Sequence, residues 1–328
     1  MMKLFYSLVG MIFFAACSKD ENDYKIPVQE KGQEELLSPT SENQNGNVAG
    51  KHQEVTRLEF PKTRDNDPNS VLLIRYTADY GLNYSIEYDL QKKAMRWVCF
   101  TLDSRNSQRN WNRKQWEYTD NPWSKLNYET YKYYDPFQPD PDLPAEARTE
   151  LSDYPGSGYQ RGHICASSDR LCSRDANEQT YYLSNIMPQT YELNNGIWQD
   201  MEGYVNGNNA ILNNGLVSWN NDTFRDTLYV CKGGTIDNAN ILKTTNSGLT
   251  VPKYFFMALL CLKKGQYKTL AFWVEHITVN KKGDDIKKYI ISIDQLEQRT
   301  GIDFFCNLPD DVEDAAEASV DYTFWKMN

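Results

Sequence analysis

The chain has 328 residues, of which 40% are hydrophobic and 13% aromatic, and its formal net charge is −10. This length is enough to bury a full core, and the aromatic content excludes a disordered protein. The negative charge excludes an overall attraction to polyanions, so any contact with nucleic acid needs a local basic patch. We therefore predict one globular domain of catalytic size with short appendages.

The N-terminus has the pattern of an export signal. Lys3 precedes an apolar run over residues 4–14, and two alanines precede Cys17. The run is too short to span a membrane as a helix. The pattern is similar to a bacterial lipoprotein signal, which predicts that residues 1–17 are a signal peptide ending at a lipidated Cys17. An ordinary cleaved signal or a buried apolar segment is the alternative.

The acidic residues after Cys17 are similar to signals that send lipoproteins to the outer face of the outer membrane. We therefore expect an exported outer-membrane lipoprotein that is exposed on the surface and contacts the membrane through its lipid. Residues 18–57 are polar and have no apolar period, which predicts a disordered tether. The folded domain is then expected to cover residues 58–328.

Segments rich in β-branched and aromatic residues predict strands along this domain. They cover residues 70–77, 84–90, 96–102, 226–234, 253–262 and 268–279. Residues 291–301 have helical spacing and end in Gly301, which predicts a helix with a glycine at its end. The proline-rich residues 136–144 cannot form regular structure. The expected fold class is α+β.

The cysteines other than Cys17 allow two interpretations. Disulfides are permitted in an exported protein, and Cys165 and Cys172 are close enough in sequence to close a small loop. Cysteines inside predicted strands are equally well explained as small core residues. No C-x-x-C pair occurs, so a zinc site is not expected.

Three histidines occur, and only one has a distinctive setting. His52 lies in the predicted tether and His276 in a predicted strand, where a structural histidine is the default. His163 follows Arg161 and Gly162. A neutral histidine accepts a proton from water, a planar guanidinium binds phosphate oxygens, and glycine permits a close approach of the backbone. The triplet by itself is too short to exclude a structural role.

A second segment, residues 181–205, offers ligands for a metal ion. Asn194 and Glu202 are eight residues apart, about 80° around a regular α-helix, so both address one side two turns apart. An amide oxygen and a carboxylate with room for water suit Mg²⁺. An amphipathic helix with its polar residues in solvent is the alternative.

Together, the motifs QRGH, SNIMPQ and LNNGIWQDME stand in the order typical of the DNA/RNA non-specific endonuclease family. This family of ββα-metal nucleases includes secreted bacterial nucleases and endonuclease G, and the chain resembles it from about residue 58 to near Trp325. The resemblance implies a central antiparallel β-sheet with flanking helices and a metal-binding helix. It also implies Mg²⁺-dependent cleavage, with Mn²⁺ as a substitute, of DNA and RNA without sequence specificity, leaving 5′-phosphate and 3′-hydroxyl ends.

The resemblance further implies roles for single residues. His163 matches the general base, and Asn194 matches the direct ligand of the metal. Glu202 matches the carboxylate that holds metal-bound waters, so it acts in catalysis and in metal binding through water. Arg161 matches the motif arginine at the phosphate, and Asn185 matches an asparagine that supports the base.

Departures from the family pattern bear on activity. Gln160 stands where the family has aspartate, which removes a carboxylate beside the motif arginine, and Ala166 replaces a proline. An arginine expected at the phosphate should fall near Tyr133. Its candidate replacements at the nucleic acid are Lys132 and, from the insertion over residues 104–131, Arg109 and Arg113. Trp111 and Trp116 of the same insertion are candidates to stack on bases.

Three functions therefore remain open from the sequence. The first is a surface-anchored nuclease acting on DNA and RNA. The second is a catalytically weakened lipoprotein that captures nucleic acid without cleaving it, and the third is a surface module for another ligand. Retention of His163 and Asn194 favours the first. The sequence does not indicate a preference between DNA and RNA or an oligomeric state.

Overall fold

The computed structural model describes residues 43–113, 116, 129, 135–207 and 218–327. The predicted signal with Cys17, the tether as far as residue 42, and both Lys132 and Tyr133 lie outside the described residues. Within these ranges, no helix combines the length and the apolar character that a membrane span requires.

The predicted strands form the framework of the fold. In chain order, the strands of the described residues are β1 Ser70–Thr77, β2 Gly81–Asp89, β3 Ala94–Leu102, β4 Gln160–His163, β5 Ile186–Gln189, β6 Thr227–Gly234, β7 Ile241–Thr244, β8 Thr250–Pro252, β9 Tyr254–Lys263, β10 Gln266–Glu275 and β11 Ile290–Ile291. Seven of them form one sheet in the order β1-β2-β3-β6-β9-β10-β11, and every neighbouring pair is antiparallel. The prediction of a central antiparallel sheet is confirmed.

Helices flank this sheet. They are α1 Arg174–Gln179, α2 Trp198–Asn206, α3 Ile293–Thr300 and α4 Asp310–Glu317. The Ser292 hydroxyl accepts the Gln295 N–H at the start of α3, and Gly301 ends α3 with a φ of 62°. The predicted helix at residues 291–301 and the α+β fold class are confirmed.

Each face of the sheet carries its own hydrophobic layer, because successive strand residues point to opposite faces. On β3, Val98 and Phe100 pack in one layer with Trp198 of α2. Trp97 and Cys99, which alternate with them, pack in the other layer together with residues of α3. Helix α2 therefore lies on one face of the sheet and α3 on the other.

The cysteines are core residues. All six that the structure describes are buried and free: Cys99, Cys165, Cys172, Cys231, Cys261 and Cys306. Of the two interpretations, the small core residue is the one that this structure supports. No bridge joins Cys165 to Cys172.

The predicted tether reaches too far along the chain. The Asn43 amide donates to the carbonyl of Leu308 at 2.6 Å, and the Asn47 amide donates to the carbonyl of Val55 at 3.0 Å. The backbone N–H of Asn47 donates to the side chain of Asn307 at 2.9 Å, and Val55 is buried in the α3 layer. The prediction of disorder is therefore wrong for residues 43–57. Asn43 and Asn47 instead form hydrogen bonds within this segment and with Asn307 and Leu308, and these contacts cannot be inferred from composition alone.

Candidate active site

Two of the sequence motifs form a pair of strands. QRGH is β4 and IMPQ is β5, and their antiparallel register opposes His163 to Ile186. A Cβ atom on Gly162 would lie only 2.2 Å from the Cδ atom of the buried Gln189. The glycine of the first motif therefore leaves the room that the buried glutamine of the second occupies.

His163 is half-buried between two aromatic rings. Its ring centroid lies 5.2 Å from that of Phe137 and 5.1 Å from that of Tyr181, and its Nε2 atom has no hydrogen-bond partner among the described residues. Burial, followed by the positive charges of Arg113 and Arg161, lowers the pKa of His163 to about 3. The imidazole is therefore neutral near pH 7, the form in which it can accept a proton.

Asn185 fixes the chain just beyond His163. Its Oδ1 atom accepts the Cys165 N–H at 2.9 Å, and its Nδ2 atom donates to the carbonyls of Cys165 at 2.9 Å and Thr180 at 2.8 Å. Asn185 thus fixes the backbone two residues after His163, and its support of the base stays a prediction.

Arg161 has a carboxylate partner that the sequence analysis did not predict. Its guanidinium donates to Asp135 at 2.6 Å and stacks over the Phe137 ring at 4.0 Å. The expectation that no carboxylate stands beside the motif arginine, because of Gln160, is wrong. The partner lies 26 residues earlier, next to the predicted irregular proline-rich segment, and no local pattern connects it to Arg161.

Gln160 itself orients the predicted metal ligand. Its Oε1 atom accepts hydrogen bonds from the side-chain amide nitrogens of Asn194 at 2.9 Å and Asn195 at 2.7 Å. Because the Asn194 nitrogen is engaged, its Oδ1 atom is left to act as an acceptor or as a ligand for a cation. The neutral glutamine therefore keeps an acceptor at the position where the family has aspartate.

Asn194 and Glu202 meet at one cavity although the helix between them is irregular. Asn194 lies in a π-helical turn, Leu193–Ile197, in which Gly196 has φ −109° and ψ −124°. The angular estimate from a regular helix therefore does not apply across this turn. Both residues nonetheless line a cavity of about 400 Å³ together with His163 and Arg161.

His276 stabilises the approach to this turn. It is buried, its Nε2 atom accepts the Thr190 N–H at 2.8 Å, and its Nδ1 atom lies 2.8 Å from the carbonyl of Pro252. Burial lowers its pKa, so the neutral ring fits both hydrogen bonds. The prediction of a structural histidine is confirmed.

A buried lysine lies beneath Glu202. The Lys232 Nζ atom is 3.2 Å from the Asp169 carboxylate and 3.9 Å from Glu202 Oε1, and Lys232 and Asp169 are fully buried. The pKa of Glu202 is raised to about 7, chiefly by burial. The positive charge of Lys232 acts to lower this pKa, and the negative charge of Asp169 acts to raise it. Burial alone would lower the pKa of Lys232, but the two carboxylates raise it above its usual range. The sequence analysis missed this lysine, although a lysine within a predicted buried strand is a signal of such a pair.

We expect Lys232→Met to destabilise the protein by about 3–5 kcal/mol, because it leaves two carboxylates without their buried partner. Denaturant unfolding measures the free energy of unfolding. Lys268, which pairs with Asp321 at 3.3 Å on the surface, provides the control, and Lys268→Met should cost less than about 1 kcal/mol. Equal losses in the two variants would contradict a special role for the buried pair.

Of the side chains of the insertion that were predicted to contact nucleic acid, two arginines lie at the site and one tryptophan is buried. Arg109 and Arg113 are exposed and line the same 400 Å³ cavity as His163, and Arg109 donates to the carbonyl of Asn206 at 3.0 Å. Trp116 is 3% exposed and donates to Asn177 at 2.8 Å, so the suggestion that it stacks on bases is wrong. The insertion thus brings two arginines to the site.

A second cavity of about 540 Å³ adjoins the first. The two share Arg161, Asn194 and Asn195, and the second is lined further by aromatic side chains, among them Tyr154 and Tyr159. Positive charge and aromatic rings on one continuous surface are suited to a strand of nucleic acid.

The residues present fit a divalent cation in the first cavity. The amide oxygen of Asn194 and the carboxylate of Glu202 are hard ligands of the kind that Mg²⁺ and Mn²⁺ prefer. Glu202 lines the same cavity as Asn194, so its carboxylate is placed to accept a hydrogen bond from a metal-bound water.

Comparison with known proteins identifies the family of the chain. The family model described as DNA/RNA non-specific endonuclease matches residues 75–311. A nuclease of Nostoc sp. strain PCC 7120 is 29% identical over 249 residues, which cover 73% of this chain and 76% of that protein. Human mitochondrial endonuclease G is 26% identical over 181 residues, covering 52% of this chain and 57% of that protein.

The fold has a counterpart among solved structures. A chain in the crystal structure of an EndoG/EndoGI complex superimposes with a TM-score of 0.53 at 18% identity, covering 72% of this chain and 86% of that chain. The likeness extends to the mixed architecture with its large antiparallel sheet. Since the family model covers most of the described domain, the chain belongs to the DNA/RNA non-specific endonuclease family.

Proposed function

We propose that this nuclease is a divalent-metal-dependent endonuclease that hydrolyses DNA and RNA without sequence specificity, leaving 5′-phosphate and 3′-hydroxyl ends. Mg²⁺ is the proposed metal, and Mn²⁺ is expected to substitute for it. The observation that carries the proposal is the neutral His163, whose Nε2 atom has no partner among the described residues, at a cavity that also contains Asn194, Glu202 and Arg161.

Each of these side chains has a proposed task. His163 accepts the proton of the attacking water, and Arg161, held by Asp135, donates to the phosphate. Asn194 would hold the cation directly, and Glu202 would hold it through water. A bound cation would supply charge neutralisation at the scissile phosphate and at the leaving 3′ oxygen.

A local basic surface at the site allows nucleic acid to bind although the chain as a whole is negatively charged. Arg109, Arg113 and Arg161 border the first cavity, so a phosphate backbone meets positive charge there despite the net charge of −10. Contacts to phosphate position a strand without reading bases, which is the physical basis for the proposed lack of sequence specificity.

The proposal includes export and attachment to the outer membrane through lipid on Cys17. Its support is the pattern of residues 1–17, in which an apolar run and small residues precede the cysteine. Substrates would then be nucleic acids outside the cell.

The experiment is cleavage of supercoiled plasmid and of single-stranded RNA by the chain that begins after Cys17, with Mg²⁺, with Mn²⁺ and with EDTA. We expect cleavage of both substrates with either metal and none with EDTA. Binding without cleavage under every metal would favour capture of nucleic acid. That alternative is weakened by Asp135, which supplies the carboxylate beside Arg161.

A further inference from the structure

Five acidic side chains gather on the opposite side of the sheet from His163. They come from α3, from the loop after it and from α4: Asp294, Glu297, Asp303, Glu313 and Glu317. Carboxylate oxygens of Asp294, Glu297 and Glu317 lie within 4.8 Å of one another. The hydrophobic layer beneath them is the one that contains α3, not the one that contains the site helix α2.

Two members of this acidic cluster are deeply buried with an unsatisfied oxygen. Glu317 is 3% exposed and Glu313 is 5% exposed, and Glu317 Oε1 and Glu313 Oε2 have no hydrogen-bond partner within the described ranges. Asn45 donates its amide N–H to Glu313 at 3.0 Å, and its own Oδ1 atom is also buried without such a partner. Buried oxygens of this kind are costly unless a donor or a cation satisfies them.

Within the described residues, no cation pairs directly with the two buried glutamates of the cluster. Lys62 lies nearby but directs its ammonium to the carbonyls of Asn45 at 2.6 Å and Gly46 at 2.8 Å. Among the described residues, no lysine or arginine forms an ion pair with Glu313 or Glu317.

We propose that the acidic cluster binds a Ca²⁺ ion, with Asp294, Glu297 and Glu317 as its ligands and Glu313 and Asn45 beside them. Ca²⁺ takes six to eight oxygen ligands at about 2.3–2.6 Å, so ligands on opposite sides of it are up to about 5 Å apart. The spread of the three carboxylates fits this range. Mg²⁺ holds its ligands at about 2.0–2.1 Å and retains several waters, which suits a buried site of carboxylates less well.

The ion joins three segments that are far apart in sequence. The three ligands lie on α3 and α4, and Asn45, which donates to Glu313 beside them, belongs to the N-terminal segment that packs against the C-terminal part of the chain. A ligand that binds only the folded state stabilises it by mass action. The role of this ion is therefore structural and separate from the cation proposed at Asn194.

The test is thermal unfolding of the full chain in EDTA and after replacement of EDTA by excess Ca²⁺. We expect Ca²⁺ to raise the midpoint by several degrees in the wild-type protein and in Asn194→Ala, which removes the proposed catalytic ligand. The rise should disappear in Glu317→Gln and in Glu297→Gln. Asp314→Asn, which neutralises an exposed acid on the same helix, should keep it.

Calorimetric titration provides a second readout. Asn194→Ala should bind one Ca²⁺ per chain, and the double variant Asn194→Ala/Glu317→Gln should bind none. Nuclease activity with Mg²⁺ should be the same in Glu317→Gln as in the wild type at a temperature where both are folded. An unchanged midpoint of the wild type with Ca²⁺, or a rise that persists in both Glu317→Gln and Glu297→Gln, would overturn the proposal.

Discussion

Replacing His163 by alanine is expected to slow cleavage of plasmid and of RNA by about 10²–10⁴-fold, the contribution typical of a general base. The physical reason is the state of the imidazole, which burial and two arginines keep neutral. Its Nε2 atom has no hydrogen bond within the described structure to compete with an attacking water. The measurement is the initial rate at saturating Mg²⁺ and substrate.

Substitutions of the other two histidines are controls that distinguish loss of the base from loss of structure. His52 makes no side-chain capping bond, so His52→Ala should leave the rate unchanged. His276 accepts the Thr190 N–H, so His276→Ala should lower the midpoint of thermal unfolding. His163→Ala should retain the wild-type circular dichroism spectrum. A rate within a factor of about three of the wild type would exclude His163 as the base, since general bases contribute far more.

The sequence predicts local elements of this fold better than their arrangement. The alternation of apolar and polar residues and the β-branched residues locate the strands of the sheet, and Gly301 locates the end of α3. These signals are readable because they depend only on residues close together in the chain. The insertion of β6 between β3 and β9 depends on contacts between residues far apart in sequence. The packing of Asn43 and Asn47 against the C-terminal segment is missed for the same reason, because their partners, the Leu308 carbonyl and the Asn307 side chain, lie 265 and 260 residues away in sequence.

The candidate site shows the same division. The motifs identify His163, Asn194 and Glu202, and these side chains line one cavity. Asp135 and Lys232 are missed because each acts on a residue distant in sequence, Asp135 on Arg161 and Lys232 on Glu202. A substitution in one motif can be offset by a partner from another segment, and only the fold reveals such a partner.

Replacing Asn194 by alanine is expected to raise the Mg²⁺ concentration needed for half-maximal cleavage by about 100-fold or more. Changes in residues that only orient a ligand already cost about 10–100-fold in metal affinity or activity. The substitution removes the amide oxygen proposed as the direct ligand. The measurement is the rate of RNA cleavage as a function of Mg²⁺ concentration.

Asn195 provides a matched control for this change. It also donates to Gln160 Oε1 and lines the same cavity, but it is not the proposed ligand. Asn195→Ala should therefore keep a Mg²⁺ requirement near that of the wild type. If Asn194→Ala and Asn195→Ala raise the requirement equally, the hydrogen bonds to Gln160 matter rather than ligation, and Asn194 is not the metal ligand. If only Asn194→Ala raises it, the Asn194 oxygen binds the cation, and the hydrogen bond from the Asn194 amide nitrogen to Gln160 Oε1 serves to orient that oxygen.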